Sequence, residues 1–421
     1  MARAKTALSL KTLLIFGFLI RLIFLPLAYH DDVTSNYWWG RYALDFSLRG
    51  YYDWLDFTGY APPDQPPFYI LYYRCLRSLY LLIYRLFWWL NITIPVFPSK
   101  FMQWYFLWGN QFIQKIPTIF VDMFIIFALI RLYPQILKRK NLLLCLIFFP
   151  PFIYNSSLWG GNEMILNLFY FSSFYFLLRS SLVVSVIFLT LGLLFKSSLL
   201  IFLPLYLIAL IKVKPKPSLL FLAILFFLLI TYLLSSPFAV KPTFIWLADL
   251  FQTKILPGSM PHLTANAFNL WTLLFGLSPR QDNLLIFNFL TARAFSFIFW
   301  LVLVCPLLFN LYSRFSLRRL LLSMATVTLL SFFFLTRMHE RYTFPAFIPL
   351  FILSIKQCFY YKYLLILTVT HLLNVYNFWW VPQISFLITL LQFGPVINLI
   401  SLFNLFILSR LYLLQLNSKS V

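Results

Sequence analysis

Long apolar stretches recur along most of this chain, and lysines and arginines collect in the gaps between them. Backbone placed in lipid must satisfy its own hydrogen bonds, which leaves α-helices or a closed β-barrel. Barrel strands alternate in and out at period two; these runs do not, so helices remain. Composition agrees, since 62% of the 421 residues are hydrophobic and 10% are charged, against roughly 25% charged in soluble domains. A water-soluble globular protein and a disordered chain are both excluded. The net charge of +22, from 33 Lys and Arg against 11 Asp and Glu, would suit nucleic acid if it formed a stripe on a folded surface. Here the cations lie between hydrophobic segments, where they orient a protein among membrane lipids, so no nucleic-acid partner is expected. Cys75, Cys145, Cys305 and Cys358 have no paired spacing, so neither a disulfide framework nor a zinc site is indicated. No cofactor is expected.

The first apolar run, Ser9 to Tyr29, follows Arg3 and Lys5 and ends at Leu-Ala-Tyr-His-Asp-Asp rather than at a small-residue cleavage site. It reads as a retained helix with a cytoplasmic N-terminus. Residues 67 to 90 are apolar too, but they hold Arg74, Arg77 and Arg85 among tyrosines and tryptophans, and each central arginine costs about 2.5–3.5 kcal/mol in a span. Rings at headgroup depth with cations in water suit helices lying along the interface. The region from His30 to about Gln111 is therefore expected to be one large external loop containing interfacial helices. A span from Phe112 to Tyr133 follows, then spans near 142 to 157, 164 to 178, 181 to 195, 197 to 211, 218 to 235, 284 to 309, 319 to 335, 343 to 355, 362 to 377 and 395 to 413. The expectation is an all-α bundle of about twelve transmembrane helices with a second external stretch near 236 to 283 and both termini cytoplasmic.

In that topology ten of the eleven acids are external, Asp122 lies within a helix, and His30, His262 and His339 share the external side. Orientation rules do not demand this, because acids contribute little to topology. Polar chemistry is thus expected on one face. Water-facing loops account for Asp45, Asp53, Asp56, Asp249 and Asp282. Asp31 and Asp32 differ, because they sit at the mouth of the first span, where partial desolvation suits a general base; the residues alone do not choose between them.

Several short segments resemble a known family. His30-Asp31-Asp32-Val33 followed by Trp39-Gly40 resembles the start of the first external loop of GT-C membrane glycosyltransferases, particularly bacterial mannosyltransferases related to the GPI mannosyltransferase. Asp64-Gln65-Pro66-Pro67-Phe68-Tyr69, Lys115-Ile116-Pro117 through Asp122, and Asn266-Ala267-Phe268-Asn269-Leu270-Trp271 resemble further segments in the same order. Trp159-Gly160-Gly161-Asn162-Glu163 resembles Trp-Gly-Gln-x-Asp with two departures, at Gly161 and Glu163. Met338-His339-Glu340-Arg341-Tyr342 through Pro345 is the most specific match.

The resemblance implies a single integral-membrane GT-C domain that transfers a hexose, mannose in those relatives, from a polyprenyl phosphate to an acceptor hydroxyl at the outer face of a bacterial plasma membrane. The acceptor is a glycan, a lipid or a protein. Such a reaction needs a base on the attacking hydroxyl and cations on the departing phosphate. The match places the base at Asp32. His339 and Arg341 are candidates for the phosphate, with Lys196, which breaks the positive-inside pattern, and Arg293, an intramembrane cation. Asp31, Asp64, Glu163, Trp159 and Glu340 are expected to shape the sugar or acceptor site, with Trp38, Trp39 and Trp271 as further stacking faces. Asp122 either orients His339 or Arg341 or satisfies a contact between helices. His339 is expected in the same external cavity as Asp32. His339 and Glu340 are adjacent rather than on one helical face, so no HExxH metal site is read.

Two other readings stay open. A polysaccharide polymerase or ligase would share the lipid substrate. A lipid-linked sugar transporter would show internal repeats and broken helices at the midplane, with charges in the membrane centre rather than on one face; the external concentration of acids argues against it.

Overall fold

The computed structural model describes residues 9–54, 62–258, 260–286 and 288–417, apart from the side chain at position 54. Among them the architecture is helical, with two short two-stranded pairings. Six helices are long and apolar enough to cross a membrane: Ser99–Leu132, Lys140–Trp159, Pro217–Phe238, Ala292–Ser313, Leu317–Phe334 and Gly394–Leu416. They give the chain the character of a multi-pass membrane protein.

The expected count of about twelve spans is overturned, and helix length is the reason. Four of the expected spans form Glu163–Leu178, Leu182–Phe195, Ser197–Val213 and Phe344–Lys356, all in the range of 10–17 residues. At 1.5 Å per residue these reach about 15–25 Å, short of the roughly 30 Å hydrocarbon core. The first run forms only Leu10–Phe24, 15 residues long. Tyr361–Phe378 is longer but buries Thr368, Thr370, His371 and Asn374, which lowers its hydropathy. The large external loop with interfacial helices is corrected as well. Within 30 to 111 lie the helices Asp31–Asp45, Tyr51–Trp54 and Pro67–Thr93, and Ser99–Leu132 already starts there. Their polar side chains Asn36, Asn110 and Gln114 are buried, with Asn36 donating to the Tyr73 hydroxyl and Gln114 to the Val33 carbonyl. Arg3, Lys5 and Asp56, used above for topology and polarity, lie outside the described residues.

The chain divides into two compact units, one drawn from the residues up to Ser47 with Ile70–Leu168, the other from Leu48–Tyr69 with Phe169 onward. The first unit is organised by two buried cations. Arg21, in Leu10–Phe24, donates from Nε to Asp122 Oδ2 at 2.6 Å and from Nη1 to the carbonyls of Gly17 and Ile147 at 2.8 and 3.1 Å. Both ions have no exposed surface, and Ser156 Oγ donates to the same carboxylate at 3.2 Å. A Cβ at Gly17 would stand 2.7 Å from Ile147 Cγ2, so the missing side chain permits the approach. Lys115, also fully enclosed, donates from Nζ to the carbonyls of Leu25, Ser157 and Leu158 at 3.0, 2.8 and 3.1 Å and also to that of Ala28. One ammonium thus ties the chain leaving the first helix to the π-helical turn Tyr154–Trp159.

In the second unit Leu317–Phe334 is buried on all sides, as a helix apolar around its whole circumference must be. Its few hydroxyls bond to its own carbonyls or across to neighbours. Trp300 Nε1 donates to Ser331 Oγ at 3.0 Å and Gln415 Nε2 to Ser323 Oγ at 2.8 Å, which links the spans Ala292–Ser313 and Gly394–Leu416 to it. Beyond the end of this helix, Thr264–Ala265 pairs in parallel with Met338–His339, and Asn266 bridges to His339.

Candidate functional site

The sequence-predicted residues collect into one cluster in each unit. In the first, His30 caps the helix Asp31–Asp45: its backbone is extended and its Nδ1 accepts the Asp32 backbone N–H at 3.1 Å. An Nδ1 that accepts leaves the ring proton on Nε2, so the 3.4 Å approach of Nδ1 to Asp32 Oδ2 is not an ion pair. The ring stacks on Trp159 with centroids 3.9 Å apart and planes at 15°, and the His30 backbone N–H donates to the Trp159 carbonyl at 3.0 Å. The Trp159 indole then donates from Nε1 to Asp32 Oδ2 at 3.1 Å. Asp32, with 38% of its side chain exposed, is therefore both aimed and reachable, at a helix end where the peptide dipoles favour negative charge. Asp31, one residue earlier, is exposed. Of these two neighbouring acids, Asp32 is the one that the indole bonds to.

The turn that carries Trp159 needs its glycines. Gly160 has φ +83°, and a Cβ there would meet Val33 Cγ2 at 2.6 Å. A Cβ on Gly161 would meet Glu163 Oε2 at 2.4 Å and Asn155 Nδ2 at 2.5 Å, so any side chain at that position crowds the Asn155–Glu163 hydrogen bond of 2.8 Å. Glu163 is buried and serves this turn, and Trp159 is buried with one face against His30. Both residues, expected to shape the sugar or acceptor site, are buried in this turn. Asn36 and Asn162 both donate to the Tyr73 hydroxyl, at 3.0 and 3.2 Å, and Gly40 lets the helix Asp31–Asp45 come within 2.5 Å, measured from a would-be Cβ, of the Tyr73 carbonyl.

In the second unit Glu340 has no exposed surface and accepts from Arg341 Nη1 at 2.6 Å, while His339 Nδ1 stands 3.8 Å from its other oxygen. The His339 ring packs against Tyr342 with centroids 5.1 Å apart, and Lys196 Nζ lies 5.8 Å from the centre of the same Tyr342 ring. Three of the four expected phosphate ligands, Lys196, His339 and Arg341, thus converge, although Lys196 is remote from the others in sequence. Arg293 does not join them among the described residues; its side chain is exposed and its backbone N–H donates to the Asp282 carbonyl at 2.9 Å. Glu340, expected to shape the sugar or acceptor site, is enclosed and pairs with Arg341. Asp64 accepts from Gln65 Nε2 at 2.8 Å, beside Tyr52, whose hydroxyl donates to the Gln65 carbonyl at 2.8 Å; burial and the Asp64 charge push the Tyr52 phenol well above its ordinary pKa. Trp271 is buried, with its indole donating to the Phe334 carbonyl, so it offers no stacking face.

The segment that holds His339 is itself held. Thr343 Oγ1 and His371 Nδ1 are 2.8 Å apart in a buried contact. Asp282, read from sequence as an ordinary loop acid, is 4% exposed and paired bidentately with Arg337 at 2.6 and 3.1 Å. Asn374 accepts the Phe268 N–H at 3.0 Å and donates to the Asn266 carbonyl at 2.6 Å. Sequence reasoning missed Arg21, Lys115, Asn374 and Arg337. Arg21 and Asp122 carried a signal, two opposite charges lying in separate apolar runs; an asparagine in a helix carries none. The chain matches no protein-family model and no curated protein.

Proposed function

We propose that this protein is a membrane glycosyltransferase that moves a hexose from a polyprenyl phosphate to an acceptor hydroxyl on the extracytoplasmic side of a bacterial plasma membrane, with both termini cytoplasmic. The observation that carries the reading is the convergence of Lys196, His339 and Arg341 about Tyr342, with a single enclosed carboxylate, Glu340, among them. Two cations and an imidazole able to donate, against one internal acid, suit an anion such as a phosphate leaving group. Asp32, one oxygen fixed by the Trp159 indole and its side chain partly exposed, suits a base that accepts the acceptor's proton as the anomeric carbon is attacked. The chemistry balances without further reactants: the C–O bond to phosphate breaks, a C–O bond to the acceptor forms, and the proton passes to Asp32. The resemblance to the bacterial mannosyltransferases adds mannose as the first sugar to try.

Purified protein in lipid nanodiscs, given polyprenyl phosphate mannose, glucose and galactose with simple alkyl glycoside acceptors, should release polyprenyl phosphate from at least one donor. A polymerase or ligase would instead require a polyprenyl diphosphate oligosaccharide. Release from no monophosphate donor, with turnover of a diphosphate one, would replace this reading with that one.

A further inference from the structure

Away from the residues discussed so far, the second unit holds a groove of about 450 Å³ lined by Thr272, Asn377, Trp380, Gln392 and Asn398 together with leucines, glycines and Ile397. No charged residue lines it, in a chain with 33 basic residues. We propose that it binds a neutral carbohydrate, a site independent of the transfer chemistry proposed above.

The argument starts from the polar groups. Asn377 is half-buried and Gln392 and Asn398 are exposed, and among the described residues none of the three side-chain amides hydrogen-bonds to another side chain or to backbone. Each amide offers both a donor and an acceptor, the pairing that a hydroxyl asks for. A charged ligand would find no counter-ion here. An acyl chain would cover these amides without satisfying them, which is unfavourable for each one that it dries.

Trp380 supplies the complementary surface. It packs against the cluster of Phe268, Tyr376, Leu391, Ile397 and Ile400 and meets the Tyr376 ring edge-on at 5.5 Å. The Tyr376 hydroxyl donates to the Pro382 carbonyl at 2.8 Å and accepts the Ile384 N–H at 2.8 Å, so the loop bearing Trp380 is fastened just beyond it. A fixed indole beside amides open to a ligand matches the two sides of a pyranose: an apolar face of C–H groups and a rim of hydroxyls. The location fits as well. The groove lies at the C-terminal end of Tyr361–Phe378 and the N-terminal end of Gly394–Leu416. The latter is 23 residues long, about 35 Å and enough to cross the hydrocarbon core, which leaves its first turn at headgroup depth where a soluble glycan can reach.

The test is binding of maltotriose, β-1,4-mannotriose and chitotriose to the full chain in nanodiscs free of glycoside detergents, followed by saturation-transfer NMR and titration calorimetry. At least one trisaccharide should bind. The double variant Gln392→Ala with Asn398→Ala should weaken it at least about tenfold, the loss expected for two hydrogen bonds, with the thermal midpoint unchanged because both side chains are exposed. Trp380→Phe should weaken it too. Should the double variant lose its fold, Asn398→Ala alone carries the comparison. Binding of none of the three, or unchanged binding in the variants, would overturn the assignment.

Discussion

Asp32 draws its orientation from two rings that sequence places far apart. His30 turns the chain into the helix and stacks on Trp159, and Trp159 returns its N–H to the carboxylate. Replacing Trp159 by Phe keeps a stacking ring but removes that donor and part of a buried side chain. A hydrogen bond to a charged group contributes about 1.5–3 kcal/mol, so turnover should fall roughly tenfold to a hundredfold, with a lowered thermal midpoint from the lost packing. Asp32→Asn should abolish transfer with donor affinity intact, and Asp31→Asn should be mild; an inactive Asp31→Asn beside a near-normal Asp32→Asn would shift the assignment by one residue. At Gly160, the φ of +83° and the 2.6 Å approach to Val33 act together. Gly160→Ala should destabilise the protein by about 1–3 kcal/mol, the usual cost of a strained backbone position, and should be read as a lowered thermal midpoint. An unchanged midpoint would show that the turn relaxes.

Among the elements, the long apolar helices were legible because hydropathy alone identifies a run of 20 residues or so. Their number was not, because a short run reads as a span until helix length is known. The chain at 197 to 202 winds as a 3-10 helix before Leu203–Val213 begins, a change of winding that no periodicity announces. Arginines at 74, 77 and 85 were read as headgroup anchors, yet Arg77 sits 5.0 Å from the Tyr37 ring and 4.8 Å from that of Tyr80. Aromatic faces thus hold Arg77, and Pro67–Thr93 is not among the six helices long and apolar enough to cross a membrane. The Arg21–Asp122 bond joins Leu10–Phe24 to Ser99–Leu132, and a buried ion pair is costly mainly when half of it is lost. Arg21→Leu and Asp122→Leu should each lower stability by about 3–5 kcal/mol, and the double variant should recover most of the loss. Additive losses in the thermal midpoints would contradict this account of how the two helices are held.

For the whole molecule, the motif-bearing segments were legible and their mutual arrangement was not. Met338–His339, in one segment singled out from sequence, pairs with Thr264–Ala265, just before another, Asn266–Trp271, whose Asn266 bridges to His339. Lys196 could be named from its place against the positive-inside pattern, but only folding brings it to Tyr342. Supporting residues such as Asn374 and Arg337 act through partners that sequence does not order, and they stayed invisible for that reason. The central claim is that Lys196, His339 and Arg341 hold the phosphate of a lipid-linked sugar, and the most direct measurement is the affinity of the nanodisc-embedded protein for polyprenyl phosphate. Wild-type protein should bind it, Lys196→Gln, His339→Ala and Arg341→Ala should each weaken binding about tenfold or more, and Asp32→Asn should bind as wild type does. No binding by the wild-type protein, or equal binding by all three cation variants, would contradict the claim.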